Sequence, residues 1–139
     1  MLDYDIKEET IETMILGIGT DITSVERFIN DRERMNRLAN KILTDYELQE
    51  YQQLGDLQAN FLAKRWAAKE AISKAFNTGI AGNTKWKSIE IRRNKQGAPG
   101  VCFYDALKNS AEVLGIKCHI SISDEGDMVA AFAVLEYKN

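Results

Sequence analysis

The stretch Phe61 to Phe76 limits the architecture more than any other part of this chain. It is rich in Ala, Lys, Arg and Glu, all strong helix formers. The composition predicts one long helix, with the large apolar residues Phe61, Leu62, Trp66, Ile72 and Phe76 mostly on one side. The run Asn77-Thr-Gly-Ile-Ala-Gly82 ends it. A helix of that length needs other elements to cover it, and the flanking sequence supplies them.

Met14-Ile-Leu-Gly-Ile-Gly-Thr is apolar and β-prone, which predicts a buried strand with Asp21 at its end. Thr23 with Glu26 fits a capping box, so a helix is expected from near Ser24 to about Asn40. Thr44 with Glu47 gives a second box and a short helix to about Leu54. Beyond the long helix, strands are expected at Trp86 to Ile91 and Val101 to Tyr104, with a turn at Asn94 to Gly100 between them. A helix from Ala106 to Leu114 stops at Gly115. Cys118 to Ser123 alternates, with His119, Ser121 and Ser123 on one face. After the turn at Asp124-Glu-Gly-Asp, a last strand runs from Met128 to Glu136. The expected class is α+β, with antiparallel pairing toward the C-terminus. The expected domain spans residues 14–139, preceded by an extension over 1–13.

Charge narrows the function classes. The chain carries a net −3, but residues 1–13 hold a net −4 and the remainder about +1. General nucleic-acid binding needs a basic surface, so it is not expected. Cys102 and Cys118 do not form a disulfide framework and lack metal-ligand spacing, which fits reduced thiols in the cytoplasm. No secretory signal is visible. The richest apolar stretch, Met128 to Leu135, is far shorter than the roughly 20 residues a bilayer requires.

Several residues carry potential chemistry. Asp21, at a strand end, suits a hard metal ion or the N-terminus of a following helix. In Arg65-Trp-Ala-Ala-Lys-Glu-Ala-Ile-Ser-Lys74, Glu70 and Lys74 share a helix face, and Arg65 and Lys69 a neighbouring one. A carboxylate beside several cations can serve a metal–phosphate complex. The same spacing also fits a solvated face of ion pairs. Two small alanines before Lys69 suggest close approach of another group. The loop after Phe76 could cradle phosphate or simply stop the helix. His119, the only histidine, fits a structural place on its strand. Arg27, Arg34 and Lys41 are spaced by sevens, with Arg37 beside them. Such a stripe docks an acidic partner or is an ordinary wet face.

Taken together, these stretches resemble the holo-acyl-carrier-protein synthase family of 4'-phosphopantetheinyl transferases. The resemblance is carried by Gly17-Ile-Gly-Thr-Asp-Ile22, by Phe61 to Phe76 with Thr78 and Gly79, by Gly97-Ala-Pro99, and by His119-Ile-Ser-Ile-Ser123 leading into Ala130 to Glu136. It covers the chain from Met14 to the C-terminus.

The resemblance implies an antiparallel sheet with a long central helix, a homotrimer with active sites between subunits, and a place in fatty-acid biosynthesis. It implies transfer of phosphopantetheine from coenzyme A to a serine of an apo acyl carrier protein. Asp21 and Glu70 match magnesium ligands, and Lys74 matches a lysine on the coenzyme A phosphate. Arg65, Lys69, Ser73 and Gly79 fall in the stretch lining the coenzyme A site, and Pro99 matches a turn near the nucleotide. Arg27, Arg34 and Arg37 match positions facing the acidic carrier helix. Two positions depart from the pattern. Asp124 stands where many relatives have histidine, so the base is Asp124, or Glu70 acting through a bound water. Asn77 stands where glycine is usual, although Asn tolerates positive φ. These departures keep open an alternative, a module that binds coenzyme A or carrier protein without turnover.

Overall fold

The computed structural model describes residues 13–29 and 31–138. The expected acidic extension therefore lies outside the described residues, except for Thr13, which begins the first strand. In chain order the elements are β1 (Thr13–Ser24), α1 (Arg32–Ile42), α2 (Asp45–Gln52), α3 (Gln58–Ala75), β2 (Ile89–Arg93), β3 (Pro99–Phe103), α4 (Asp105–Leu114), β4 (Ile116–Glu125) and β5 (Met128–Lys138). One sheet has the order β1-β5-β4, all antiparallel, and β2 and β3 form a separate hairpin. The expected α+β class is present, but the strand expected from Trp86 begins only at Ile89 after a 3-10 turn, β4 runs through the expected turn to Glu125, and the first strand, expected to be buried, exposes Met14, Ile15, Leu16, Ile18 and Ile22. No described helix is long and apolar enough to cross a membrane.

The largest difference from expectation lies at the end of β1. The helix expected from Ser24 does not start there, because β1 stays paired to β5 through Thr23↔Val129 and Ser24↔Met128. Asp127 then takes the groups a cap would have taken. Its Oδ1 accepts from Glu26 N (2.9 Å), its other oxygen accepts from the Ser24 hydroxyl, and its carbonyl accepts from Val25 N (2.8 Å). A short 3-10 turn, Val25–Phe28, follows. The α-helix begins only at Arg32, where Asp31 Oδ1 accepts from Glu33 N (2.9 Å) and Arg34 N (3.4 Å). The second capping box forms as expected, with Thr44 and Glu47 bonded reciprocally. Gly115 ends α4 in the left-handed region at φ 66°.

The long helix α3 is not half-wet as its apolar pattern suggests. Ala63, Ala67, Ala68, Ala71 and Ala75 are buried, but so are Arg65, Lys69 and Ser73 on its other sides. Elements cover most of it, with β1 and β5 on the alanine side and α1, α2 and the turn before β2 on another, leaving an open edge with the part-buried Glu70 and the exposed Lys74. The alanine side approaches β1 backbone to backbone. A Cβ on Gly17 would lie 1.9 Å from Ala75 O, and one on Gly19 only 1.8 Å from Ala71 O. Neither neighbour is a side chain that could turn away. Gly19→Ala is therefore expected to lower unfolding stability by about 3 kcal/mol. Urea denaturation followed by circular dichroism checks this, and an unchanged midpoint would contradict the contact.

Candidate active site

The inner face of β1 and one edge of α3 bring three predicted residues together. Asp21 projects to the helix side of the sheet, as its alternation with Ile22 and the buried Thr23 requires. Lys74, in the last turn of α3, donates from Nζ to Thr20 O (3.0 Å) and to Asp21 Oδ1 (3.0 Å). Glu70, one turn earlier, is half-buried. Burial pushes its carboxyl above the usual carboxylate range, and the nearby Asp21 charge pushes it further. Lys74 and Arg27 pull the other way. The Arg27 guanidinium lies 5.5 Å above the Trp66 ring and donates to Thr23 Oγ1 (3.3 Å).

This donor set fits a hard divalent cation. Two carboxylates from separate elements converge in a partly dry place, where the Asp21 charge raises the cost of charging Glu70. Hard oxygen ligands in small number, with room left for phosphate oxygens, are what magnesium takes. Lys74 already offsets one of the two charges.

Other predicted residues are elsewhere. The Lys69 side chain is fully buried, and its ammonium is used up on Ile42 O, Glu47 Oε1 and Trp86 O. The Arg65 guanidinium is buried over the Phe61 ring (4.3 Å), with Glu47 and Glu50 at 3.6 and 3.7 Å. The Ser73 hydroxyl, also buried, donates to Glu70 O (2.7 Å). None of the three side chains is placed to line a coenzyme A site on its own chain, and neither is the wet ion-pair face realised there. The loop after α3 acts as a helix stop: Thr78 N and Gly79 N both donate to Ser73 O (3.2 Å each), so the Gly79 amide is not free for phosphate. Asn77 takes φ 61°, the left-handed conformation that the usual glycine would take.

Asp124 and Pro99 lie toward the other side of the sheet. Asp124 is on β4, separated from β1 by the whole of β5, and pairs with Lys64 (3.6 Å). Two strand spacings, about 10 Å, divide its strand from that of Asp21. Pro99 opens β3, in a cleft lined by Val101 and Phe103 from β3 and by Ile116, Cys118 and Ile120 from β4. Burial pushes the Cys118 thiol up to about 12, which leaves it unreactive.

Arg27, Arg34, Arg37 and Lys41 line one groove, as their spacing suggests, although Arg27 comes from the 3-10 turn rather than from α1. Sequence reasoning missed the groove's floor. Phe28, Met35, Leu38 and Trp66 form it, and the Trp66 ring packs against Trp86 at 4.7 Å. The position of Trp66 one turn before Glu70 was the available signal. Glu47, the buried partner of Lys69, was read only as a cap.

Residues 17–133 match the family model described as the 4'-phosphopantetheinyl transferase superfamily. The chain belongs to that superfamily. Among the relatives this transferase resembles is a holo-[acyl-carrier-protein] synthase of Neisseria gonorrhoeae (strain NCCP11945), 45% identical over 125 residues, covering 88% of this chain and 99% of the relative. The crystal structure of the holo-[acyl-carrier-protein] synthase from Neisseria meningitidis superposes with a TM-score of 0.81 at 44% identity, over 88% of this chain and 98% of that one. A holo-(acyl-carrier-protein) synthase from Bacillus anthracis, solved in complex with CoA (3',5'-ADP), superposes with a TM-score of 0.76 at 32% identity, over 90% and 99%.

Proposed function

We propose that this chain transfers the 4'-phosphopantetheine arm of coenzyme A to a serine of an apo acyl carrier protein, as a magnesium-dependent homotrimer. The observation that carries the reading is the convergence of Asp21, Glu70 and Lys74 within a chain whose relatives are holo-[acyl-carrier-protein] synthases. The serine oxygen attacks the β-phosphorus of coenzyme A. The bond from that phosphorus to the bridging oxygen breaks, and 3',5'-ADP leaves.

Asp21 and Glu70 would hold the magnesium ion, which when bound neutralises pyrophosphate charge and polarises the phosphorus. The Lys74 ammonium, half-exposed beside Asp21, stabilises charge on the transferred group. On its own chain Glu70, acting through a bound water, is the candidate to take the serine proton. Arg27, Arg34 and Arg37 give the acidic carrier its landing site.

The trimer has two supports. The outer face of the sheet exposes Ile18, Ile22 and Phe132 together, an apolar surface that a lone chain would leave wet. In addition, the Asp21–Glu70 cluster and the Pro99 cleft with Asp124 sit toward opposite edges of one sheet. A neighbouring copy would bring one chain's cluster against another's cleft, making Asp124 of that copy the second candidate base. Residues 14–139 form the transferase domain in this reading, with 1–13 as an acidic extension. The unpaired Cys102 and Cys118 suit the cytoplasmic setting of fatty-acid synthesis that we assign to it.

Intact mass spectrometry tests the reading. Apo carrier protein incubated with this chain, coenzyme A and magnesium should gain one phosphopantetheine, and EDTA should prevent it. Folded protein that binds coenzyme A and modifies none of several carriers would favour the non-catalytic module instead. The left-handed Asn77 removes one of the two departures that suggested that module.

A further inference from the structure

The fully buried, oppositely charged Glu47 and Lys69 meet on the side of α3 away from the sheet, with the buried Arg65 guanidinium also 3.6 Å from Glu47, and the chemistry above uses none of the three. The Lys69 ammonium donates to Ile42 O (2.6 Å), Glu47 Oε1 (2.6 Å) and Trp86 O (3.0 Å), which uses all its donors. Glu47 Oε1 also accepts from Thr44 N (3.0 Å), and Oε2 from Ile91 N (2.9 Å). The end of α1, the cap of α2, α3, the turn before β2 and β2 itself thus meet at one ion pair.

Such a pair is a poor source of stability. Desolvation offsets much of the attraction, and apolar residues of similar volume commonly serve as well. What it adds is direction, because three hydrogen bonds from one ammonium fix distance and angle where apolar contacts can slide. The ends it fixes are the functional ones. Ile42 closes α1, the helix bearing Arg34, Arg37 and Lys41, and Lys69 immediately precedes Glu70. The ring of Trp86 packs on Trp66, which carries Arg27.

We infer that the Glu47–Lys69 pair is a positioning device, holding the basic docking helix in register against the helix that carries Glu70 and Lys74, so that a carrier seated on α1 presents its serine to the Asp21–Glu70 cluster. Neither residue touches substrate. The inference rests on the docking role given above to the basic groove.

The test is a double-mutant cycle between Glu47→Gln with Lys69→Met, a neutral pair of similar shape that leaves Arg65 with Glu50 as its remaining carboxylate, and Arg37→Ala on the exposed face of α1. Transfer kinetics with an acyl carrier protein and calorimetric binding of coenzyme A are measured on the full chain, with melting temperature alongside. The neutral pair is expected to raise the carrier KM about tenfold and to hold coenzyme A affinity within about twofold. Arg37→Ala should raise KM in the unmodified chain and add little in the neutral-pair chain. If the neutral pair does not fold, Glu47→Asp, which keeps both charges and shortens the link by one methylene, enters the same cycle with the same expected signs. Additive effects on KM, or carrier and coenzyme A affinities falling together with the melting temperature, would overturn the inference. A normal KM for Arg37→Ala in the unmodified chain removes the docking reading and this inference with it.

Discussion

Glu70→Ala is expected to reduce kcat/KM for phosphopantetheine transfer by about a thousandfold or more, with no loss of melting temperature. The two halves of that expectation come from the same geometry. Glu70 is half-buried, and among the described residues no hydrogen bond holding the fold depends on its carboxylate, because Lys74 takes Thr20 O and Asp21 instead. Removing it relieves both the desolvation of the acid and its repulsion with Asp21. The folded state therefore loses little, while in the proposed reading the cation would lose one of its two protein ligands. Transfer assays over a magnesium series, run beside a thermal melt, check both halves. A variant with near-native rates would break the metal assignment. A variant that melts earlier would make Glu70 part of the scaffold.

The second large effect is expected from Phe132→Glu. Phe132 sits opposite Thr20 on β1 and Ser121 on β4, at the centre of the outer sheet face, with Ile18 and Ile22 exposed nearby. A carboxylate there costs little in a single chain, since the position is wet, but it must be desolvated when copies associate. Analytical ultracentrifugation should find a trimer for the native chain and a monomer for the variant. Transfer should fall by about a hundredfold or more, because separated chains cannot pair one cluster with another's cleft. A monomeric variant with full activity would mean that each chain holds a complete site.

Much of this was legible in the residues. Asp21, Glu70 and Lys74 were readable because strand alternation and helix spacing fix their directions, although β1 continues past Asp21 to Ser24 instead of ending there, and the structure brings the three together. The capping box at Thr44 and the stop at Gly115 were readable because a few neighbouring residues decide them. The start of α1 was not. The Thr23–Glu26 pattern is locally sound, but Asp127, about a hundred residues away, claims the same backbone groups and extends β1. Arg65 and Lys69 misled for a related reason. Helical spacing shows which residues share a face, but not that Glu47 waits across from that face to make it an interior. The resemblance puts Asp124 and Pro99 with Asp21, and only the strand order reveals that one chain holds them apart.

The two glycines of β1 have one more consequence. With no side chain between Gly19 and the carbonyl of Ala71, the strand bearing Asp21 and the helix bearing Glu70 have nothing between them that can change rotamer. The backbones that carry the two carboxylates are therefore held at a fixed separation, and a cation arriving there has only side-chain rotamers left to order. Loading the metal should then carry a small ordering entropy. Substitutions at Gly17 or Gly19, which would push the strand off the helix, should weaken cation binding along with the fold.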